Sequence, residues 1–408
     1  MKWKLSRKSK AITKVPTTQA PLQFNFYFET VSARLGILQV ILYLSLFSFV
    51  VLSFLRNTDL ITYRNFYYFF KDLNASAETV DLFETDSISY PTAEEQSFAL
   101  WRQGLAVAGN DSLTVFTATG RQTLSRPLQY RNPIAVGTGK YLMVYELGGT
   151  QYSVYNSYTR LYTGKSDYPI YGATVSESGS YALISRSEQY NSIVSLYNDN
   201  FVLLNRYNRN GYVTDVALNS KGTRLAILTA MPEDGLLSTS LSIYVPREAG
   251  EGNQVTLTSS IGLSCAFTDT NEINVLCRDG LYSVTDGGEI GREQLFAGRE
   301  IICAELTEEG ATVVLRESPV SQESTVLIYD KSAKLLHERK MMKMVTQVSR
   351  RDGTVFLLRE DGVDQLRLRG AQLTGMDCAT NGKTILAVNG DYVLLCSPQK
   401  AEYLRFSS

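Results

Sequence analysis

Histidine is almost missing: His337 is the only one in 408 residues. Its scarcity removes the commonest general base near neutral pH and the commonest metal ligand, and most His-dependent chemistry with them. His337 itself sits in a polar stretch, KLLHERKMMKM, where a surface role is expected. Tryptophan is confined to Trp3 and Trp101, and cysteine to Cys265, Cys277, Cys303, Cys378 and Cys396, all in the last third. No C-x-x-C occurs, so neither a zinc knuckle nor a thioredoxin-type redox pair is signalled. There is no G-x-S-x-G elbow, no P-loop and no His-x-x-x-His pair. The acidic turns Asp269-Thr270-Asn271-Glu272 and Asp286-Gly287-Gly288-Glu289 lack EF-hand spacing and read as ordinary turn chemistry. The expectation is therefore no enzyme, no cofactor and no metal.

An odd number of cysteines leaves at least one thiol unpaired. Cys265 and Cys277 flank a hairpin centred near Asn271. They can face each other as a disulfide or be buried as small hydrophobes among strand residues.

Long hydrophobic runs are also absent, with one exception. Leu35–Leu55, LGILQVILYLSLFSFVVLSFL, is 21 residues without a charge, closed by Arg34 and Arg56. A spanning helix needs about 20 apolar residues at roughly 1.5 Å each. Gln39, Tyr43 and three serines are tolerable because a helix satisfies its own backbone. The run exceeds a signal-peptide core and no small-x-small cleavage site follows, so an uncleaved signal-anchor is expected. The tail before it holds Lys2, Lys4, Arg7, Lys8, Lys10, Lys14 and Arg34 against Glu29 alone. Retention of such cations predicts a cytoplasmic N-terminus and an extracytoplasmic remainder at the cell membrane.

The rest of the chain has the opposite sign. Residues 72–408 carry 30 Lys/Arg and 39 Asp/Glu, which argues against nucleic acid as a partner. The organisation expected is a basic tail at 1–34, a transmembrane helix at 35–55, a juxtamembrane segment at 56–96 and a β domain at 97–408. Within the juxtamembrane segment, NTDLITYRNFYYFFKDL (57–73) has helical apolar spacing and many aromatic rings. It reads as a helix lying on the outer leaflet or packing on the domain, and 74–96 as a linker with strand-like stretches at 80–90.

From about Ser97 the pattern becomes short β-branched and aromatic runs between turn residues. One unit repeats: a polar turn ending in Gly, then about four apolar residues. It recurs at Gly104, Gly139, Gly179, Gly222, Asn271, Gly310, Gly353 and Gly382, about 40 residues apart on average. The turn needs a residue with positive φ, and Asn is the best substitute for Gly there. The runs are apolar on consecutive residues, as in Leu225-Ala226-Ile227-Leu228, so both faces of the strand are buried. A second and a weaker third strand follow each. Four antiparallel strands per repeat with both faces covered describe the blade of a β-propeller. Eight turns favour eight blades, with seven the near competitor if the first and last repeats complete one another. A pair of β-sandwiches is the structural rival.

SESGSYALI, NSKGTRLAIL and RRDGTVFLL resemble the S-x-D-G-[KR]-hydrophobic turn of WD40-like, TolB-like and quinoprotein-like propellers over roughly residues 97–408. The W-D dipeptide and the tryptophan-docking motifs are absent, so the resemblance implies a fold and carries no quinone site. The layout as a whole resembles an uncharacterised Gram-positive, clostridial-type family of single-pass membrane proteins with an extracytoplasmic propeller, a domain of unknown function.

What remains for recognition is tyrosine, of which there are 25. Tyr158, Tyr168, Tyr171, Tyr190, Tyr207 and Tyr212 fall in polar segments and are candidate partner-binding residues, since exposed rings bring large area with few torsions to freeze. Packing between blades is the competing role. The basic run at 337–343 with Lys331 and Lys334 is either a docking patch or a solvated outer strand. The function expected is a non-enzymatic protein-binding scaffold at the cell surface. The alternative is a module that binds cell-wall polysaccharide through the same tyrosines.

Overall fold

The computed structural model describes residues 26–56, 87–102, 104–156, 159–233, 235–246, 250, 252–258, 260–380 and 383–406. The chain divides into two compact units, 1–77 and 78–408. The basic tail as far as residue 25, the aromatic segment 57–73 and most of the linker lie outside the described residues.

Among the described residues of the first unit, the helix α1 runs Phe26–Arg56 and includes the whole uncharged run. Its described apolar side chains stand exposed, Phe47 at 67% and Phe49 at 70%. Gln39 Nε2 donates to Tyr43 Oη at 3.3 Å along one helix face. Among the described residues no helix is long and apolar enough to cross a membrane.

The described residues of the second unit form 32 strands in eight four-stranded antiparallel sheets. Within a blade the strands are called A to D in order from the centre. The first seven A strands are β2 (Gln96–Trp101), β6 (Pro133–Gly137), β10 (Ile170–Val175), β14 (Tyr212–Leu218), β18 (Gly262–Phe267), β22 (Glu300–Thr307) and β26 (Val345–Arg351). In the eighth blade β30 (Thr384–Ala387), β31 (Tyr392–Cys396) and β32 (Lys400–Arg405) supply A to C, and β1 (Ser87–Ser89) supplies D. Ser87, Ile88 and Ser89 pair with Glu402, Ala401 and Lys400, so the start of the domain closes the ring onto its end. The fold is an eight-bladed β-propeller. The stretch read as a linker thus ends inside the ring.

The apolar residues form eight core clusters among the described residues, one for each junction between consecutive blades. On β15 (Leu225–Glu233), Leu225 and Ile227 face the third blade while Ala226 and Leu228 face the fifth. The consecutive apolar runs are what this two-sided burial requires.

Turn chemistry follows the sequence pattern with three differences, the first being that Gly139 is not among the glycines at positive φ. Asn271 holds φ +63°, alongside Gly179, Gly222 and Gly353. In the first blade the positive φ belongs to Arg102, and Gly104 is required because a Cβ there would lie 2.1 Å from the Phe116 carbonyl oxygen. Gly382 lies outside the described residues and precedes the A strand β30, so the last A–B turn is at 388–391. The repeat count was right although this unit was misaligned by one strand.

Cys265, Cys277 and Cys396 are buried and all five thiols are free. Cys265 pairs with Val275 and Cys277 with Gly262, so the two thiols sit diagonally rather than opposite, and both fill the core between blades four and five. His337 is half-buried, with Nε2 at 3.1 Å from the Leu368 carbonyl oxygen. The basic run is the outer strand β25 (Leu335–Met341), and its neighbours are used internally: Lys343 pairs with Asp361, Lys331 with Asp269, and Lys340 lies 3.9 Å from Glu317.

Ile88 is 2% exposed in the core that joins the last blade to the first, whereas Leu295, on the outer strand of blade five, is 61% exposed. Ile88→Ala is expected to lower unfolding stability by about 2–4 kcal/mol, and Leu295→Ala by under about 0.5 kcal/mol. Urea denaturation of both variants checks the difference.

Candidate functional site

Four of the seams between blades also carry a polar stitch at the centre. Ser97 Oγ on β2 accepts from the Ala135 N–H on β6 at 3.1 Å, and Ser349 Oγ on β26 accepts from Ala387 N–H on β30 at 2.9 Å. Gln347 Oε1 accepts from Ile385 N–H at 2.9 Å. Two seams use carboxylates for the same purpose. Asp215 Oδ2 accepts from Cys265 N–H at 2.9 Å while Oδ1 accepts from Val216 N–H at 2.8 Å. Glu305 accepts from the Arg350 N–H and from Ser349 Oγ at 3.5 Å. Burial pushes the Asp215 carboxyl up to about 6 and the Glu305 carboxyl up to about 7, against the pull of these hydrogen bonds.

Further out, a hydroxyl on a C strand ties each of three blades to the next. Ser192 Oγ accepts from Val213 N–H at 2.8 Å, Thr239 Oγ1 from Gly262 N–H at 2.8 Å and Ser324 Oγ from Val345 N–H at 3.3 Å. The seam between blades six and seven adds Arg350, whose guanidinium donates to the carbonyls of Tyr329 at 2.8 Å, Glu309 at 2.9 Å and Ala311 at 3.3 Å.

The A–B mouth of the channel is acidic. A cavity of ≈360 Å³ is lined there by residues that include Thr174, Asp215, Phe267, Thr307 and Glu308. Burial raises the Glu308 carboxyl, and Glu177 and Asp269 add to the shift. The acidic turns seen in the sequence are inter-blade ties: Asp269 pairs with Lys331, and Asp286 with Arg224 at 2.7 Å. Among the described residues no group of three His, Cys, Asp or Glu is arranged to hold a metal. Both Asp215 oxygens already accept backbone N–H groups, so the residue acts as a fastener of the seam.

The opposite mouth, formed by the B–C and D–A loops, is where apolar side chains meet solvent. The A strands of blades three to seven skip one residue each, at Tyr171, Thr214, Leu263, Ile302 and Thr346. A bulge leaves its extra residue unpaired and re-aims the side chain. On an innermost strand, flanked by blades on both sides, the open space is the channel and its rim. Tyr171 is 54% exposed, Leu263 42%, and Thr346 is exposed as well. Tyr212, at the start of β14, is 47% exposed with the Arg186 guanidinium 5.8 Å from its ring centre.

Beside this rim stands a finger. Strands β15 and β16 (Leu236–Tyr244) are nine residues each and pair without interruption from Leu225↔Tyr244 to Glu233↔Leu236. Near its tip Met231 and Leu237 are exposed.

Of the six candidate tyrosines, Tyr171 and Tyr212 stand on this rim. Tyr168 and Tyr190 are half-buried, and Tyr158 lies outside the described residues. Tyr207 is a correction: it is buried, its ring 4.3 Å from that of Tyr244 in the core between blades three and four. Its place on β13 (Leu203–Arg209) turns it inward while its sequence neighbours face out. Much of the remaining tyrosine is core, as in the stack of Tyr181 on Tyr197 at 4.8 Å. Sequence reasoning missed Leu263, Met231, Leu237 and Arg186. The Asp234-Gly235 pair between apolar runs is a hairpin signal that would have found the finger; the bulges leave no such mark.

The raised carboxyls carry a sign. The folded ring binds protons at Asp215 and Glu305 more readily than the unfolded chain. Their contribution is therefore most favourable below about pH 4 and is lost as pH rises through 6 to 7. Asp215→Asn and Glu305→Gln keep an acceptor and remove the charge. Each is expected to reduce the fall in stability between pH 5 and pH 8 by about 1–3 kcal/mol, read from urea midpoints at the two pH values.

No curated protein matches this chain. Solved structures resemble it in fold at low identity. Sqt1 from Saccharomyces cerevisiae has a TM-score of 0.57 and 11% identity, covering 79% of this chain and 98% of that one. The C-terminal WD40 domain of Sif2 gives 0.58 and 12%, covering 79% and 97%. BamB from Moraxella catarrhalis gives 0.53 and 12%, covering 80% and 100%. The sequence profile that does match spans residues 83–406, the ring with its closing strand, and by it the chain belongs to a family of unknown function, DUF5711.

Proposed function

We propose that this chain is a membrane-anchored, extracytoplasmic β-propeller that acts as a non-enzymatic protein-docking scaffold at the cell surface. The observation that carries the docking role is the rim at the B–C/D–A mouth, where Tyr171, Tyr212 and Leu263 are exposed beside a projecting hairpin. Exposed aromatic and large apolar side chains grouped on one face mark interaction surfaces. The likeness in fold to the WD40 domain of Sif2 is compatible with it.

The anchoring role rests on Leu35–Leu55, uncharged throughout and lying within the continuous helix α1. As sequence, its 21 uncharged residues are the number that a hydrocarbon core of about 30 Å calls for, and the lysine-rich tail would orient it with the N-terminus in the cytoplasm. The absence of catalysis is read from the role of the perturbed carboxyls: Asp215 and Glu305 hold seams through backbone N–H groups. A polysaccharide reading draws on the same two exposed rings, Tyr171 and Tyr212, which can stack on sugars.

Two experiments test this. The full chain is expected to stay with membranes after alkaline carbonate extraction, and a Leu46→Arg/Phe47→Arg variant to be released. A photo-crosslinking amino acid in place of Tyr212 is expected to yield discrete protein adducts in the native host, with none from the buried position of Tyr207. Retention on pelleted cell wall without protein adducts would transfer the function to the glycan reading.

A further inference from the structure

Two arginines flank the finger at equivalent places. Arg186 directly follows the B strand of blade three, where Ser185 pairs with Ile170, and Arg278 directly follows the B strand of blade five, where Cys277 pairs with Gly262. In both blades that pair sits just before the bulge, so the two guanidiniums share a register on either side of blade four. Both residues are exposed. Among the described residues neither has a carboxylate partner. The third arginine at this register, Arg316 of blade six, is 3.5 Å from Glu300. Arg186 is held over the Tyr212 ring, which orders the guanidinium without neutralising it.

Among the described side chains, the finger presents Met231 to one side and Leu237, beside Pro232, to the other. Side chains alternate along a strand, so Met231 continues the face that carries Leu225 and Ile227 towards blade three. Leu237 pairs with Pro232 and so shares the face of Ala226 and Leu228 towards blade five. Each flank therefore combines an unneutralised guanidinium with an exposed apolar side chain: Arg186 with Met231, and Arg278 with Leu237 and Leu263.

Resting on the docking-scaffold reading, the geometry points to a specific partner chemistry: the finger of blade four is straddled by a protein segment that presents carboxylates next to large apolar side chains. The charge complementarity is local. The ring domain is acidic overall and would repel such a segment elsewhere, while the two flanks of the finger accept it. A guanidinium takes a carboxylate in bidentate geometry, and the apolar residue beside it anchors the same segment against Met231 or Leu237. Two such half-sites, one on each flank, favour a partner that carries the acidic–apolar pair twice.

The test uses the full chain in nanodiscs, panned against phage-displayed random 12-residue peptides. Recovered peptides are expected to combine Asp or Glu with Phe, Trp, Leu or Met, and to bind more weakly as salt rises. Arg186→Glu/Arg278→Glu is expected to weaken a recovered peptide at least tenfold, and Met231→Ser/Leu237→Ser at least fivefold. Arg292→Glu on the outer strand of blade five should leave it unchanged. All these positions are exposed, and unaltered thermal melting confirms that the variants fold. Recovery of basic or purely polar peptides, binding indifferent to the four rim substitutions, or no enrichment at all overturns the proposal. If the Tyr212 crosslinker still captures a protein whose binding tolerates the arginine reversals, the scaffold reading stands and only this chemistry falls.

Discussion

The seam between blades is the constraint on which the rest of this ring depends. No blade can be stable alone, because its central strands are apolar on both faces and need a neighbour on each side. A row of such blades would leave two open faces. The three residues Ser87–Ser89 remove them by pairing the start of the domain with β32, so that all eight cores are shared between neighbours. The apolar contribution of Ile88 is spent at the one place where the chain has no covalent continuity.

Where blades meet at the centre, backbone N–H groups of one A strand need acceptors from the next. Serine or glutamine suffices at Ser97, Gln347 and Ser349, and carboxylates are used at Asp215 and Glu305. A buried carboxylate accepts strongly and is costly to ionise. That conflict is why burial holds both carboxyls above the usual carboxylate range, and it accounts for strongly perturbed acids on seam strands. Perturbed groups often mark active sites. Here they mark fasteners, and the solvent-facing chemistry lies elsewhere.

The two mouths of the channel divide the remaining roles. The A–B mouth is built from tight turns whose acidic residues are largely spent on ties to adjacent blades, such as Asp269 to Lys331 and Glu309 to the N–H groups of Asp352 and Gly353 at 2.8 and 3.0 Å. The other mouth is freed from that duty by the bulges. A residue with no ladder partner can be large and apolar without disturbing either neighbouring core, which is how Tyr171 and Leu263 reach the rim.

The sequence by itself determined whatever rests on local chemistry. Gly and Asn271 at the turns, runs such as Leu225–Leu228 and a repeat of about 40 residues were enough to read a propeller, to favour eight blades over seven and to place most of their turns. Tertiary structure alone decided the destinations. Three residues at 87–89, within a stretch that reads as linker, became the last outer strand because their partner lies more than 300 residues away. Gly382, which has the look of an A–B turn, comes one strand too early, since β30 follows it and the A–B turn lies at 388–391. Tyr207 and Tyr212 sit in similar polar sequence, yet one is core and the other rim. Period-2 alternation in a two-sided strand does not say which side is closed, and a bulge shifts the answer by one residue. Turns and apolar runs are encoded within a few residues of themselves, whereas register, seam partners and exposure exist only once the blades have met.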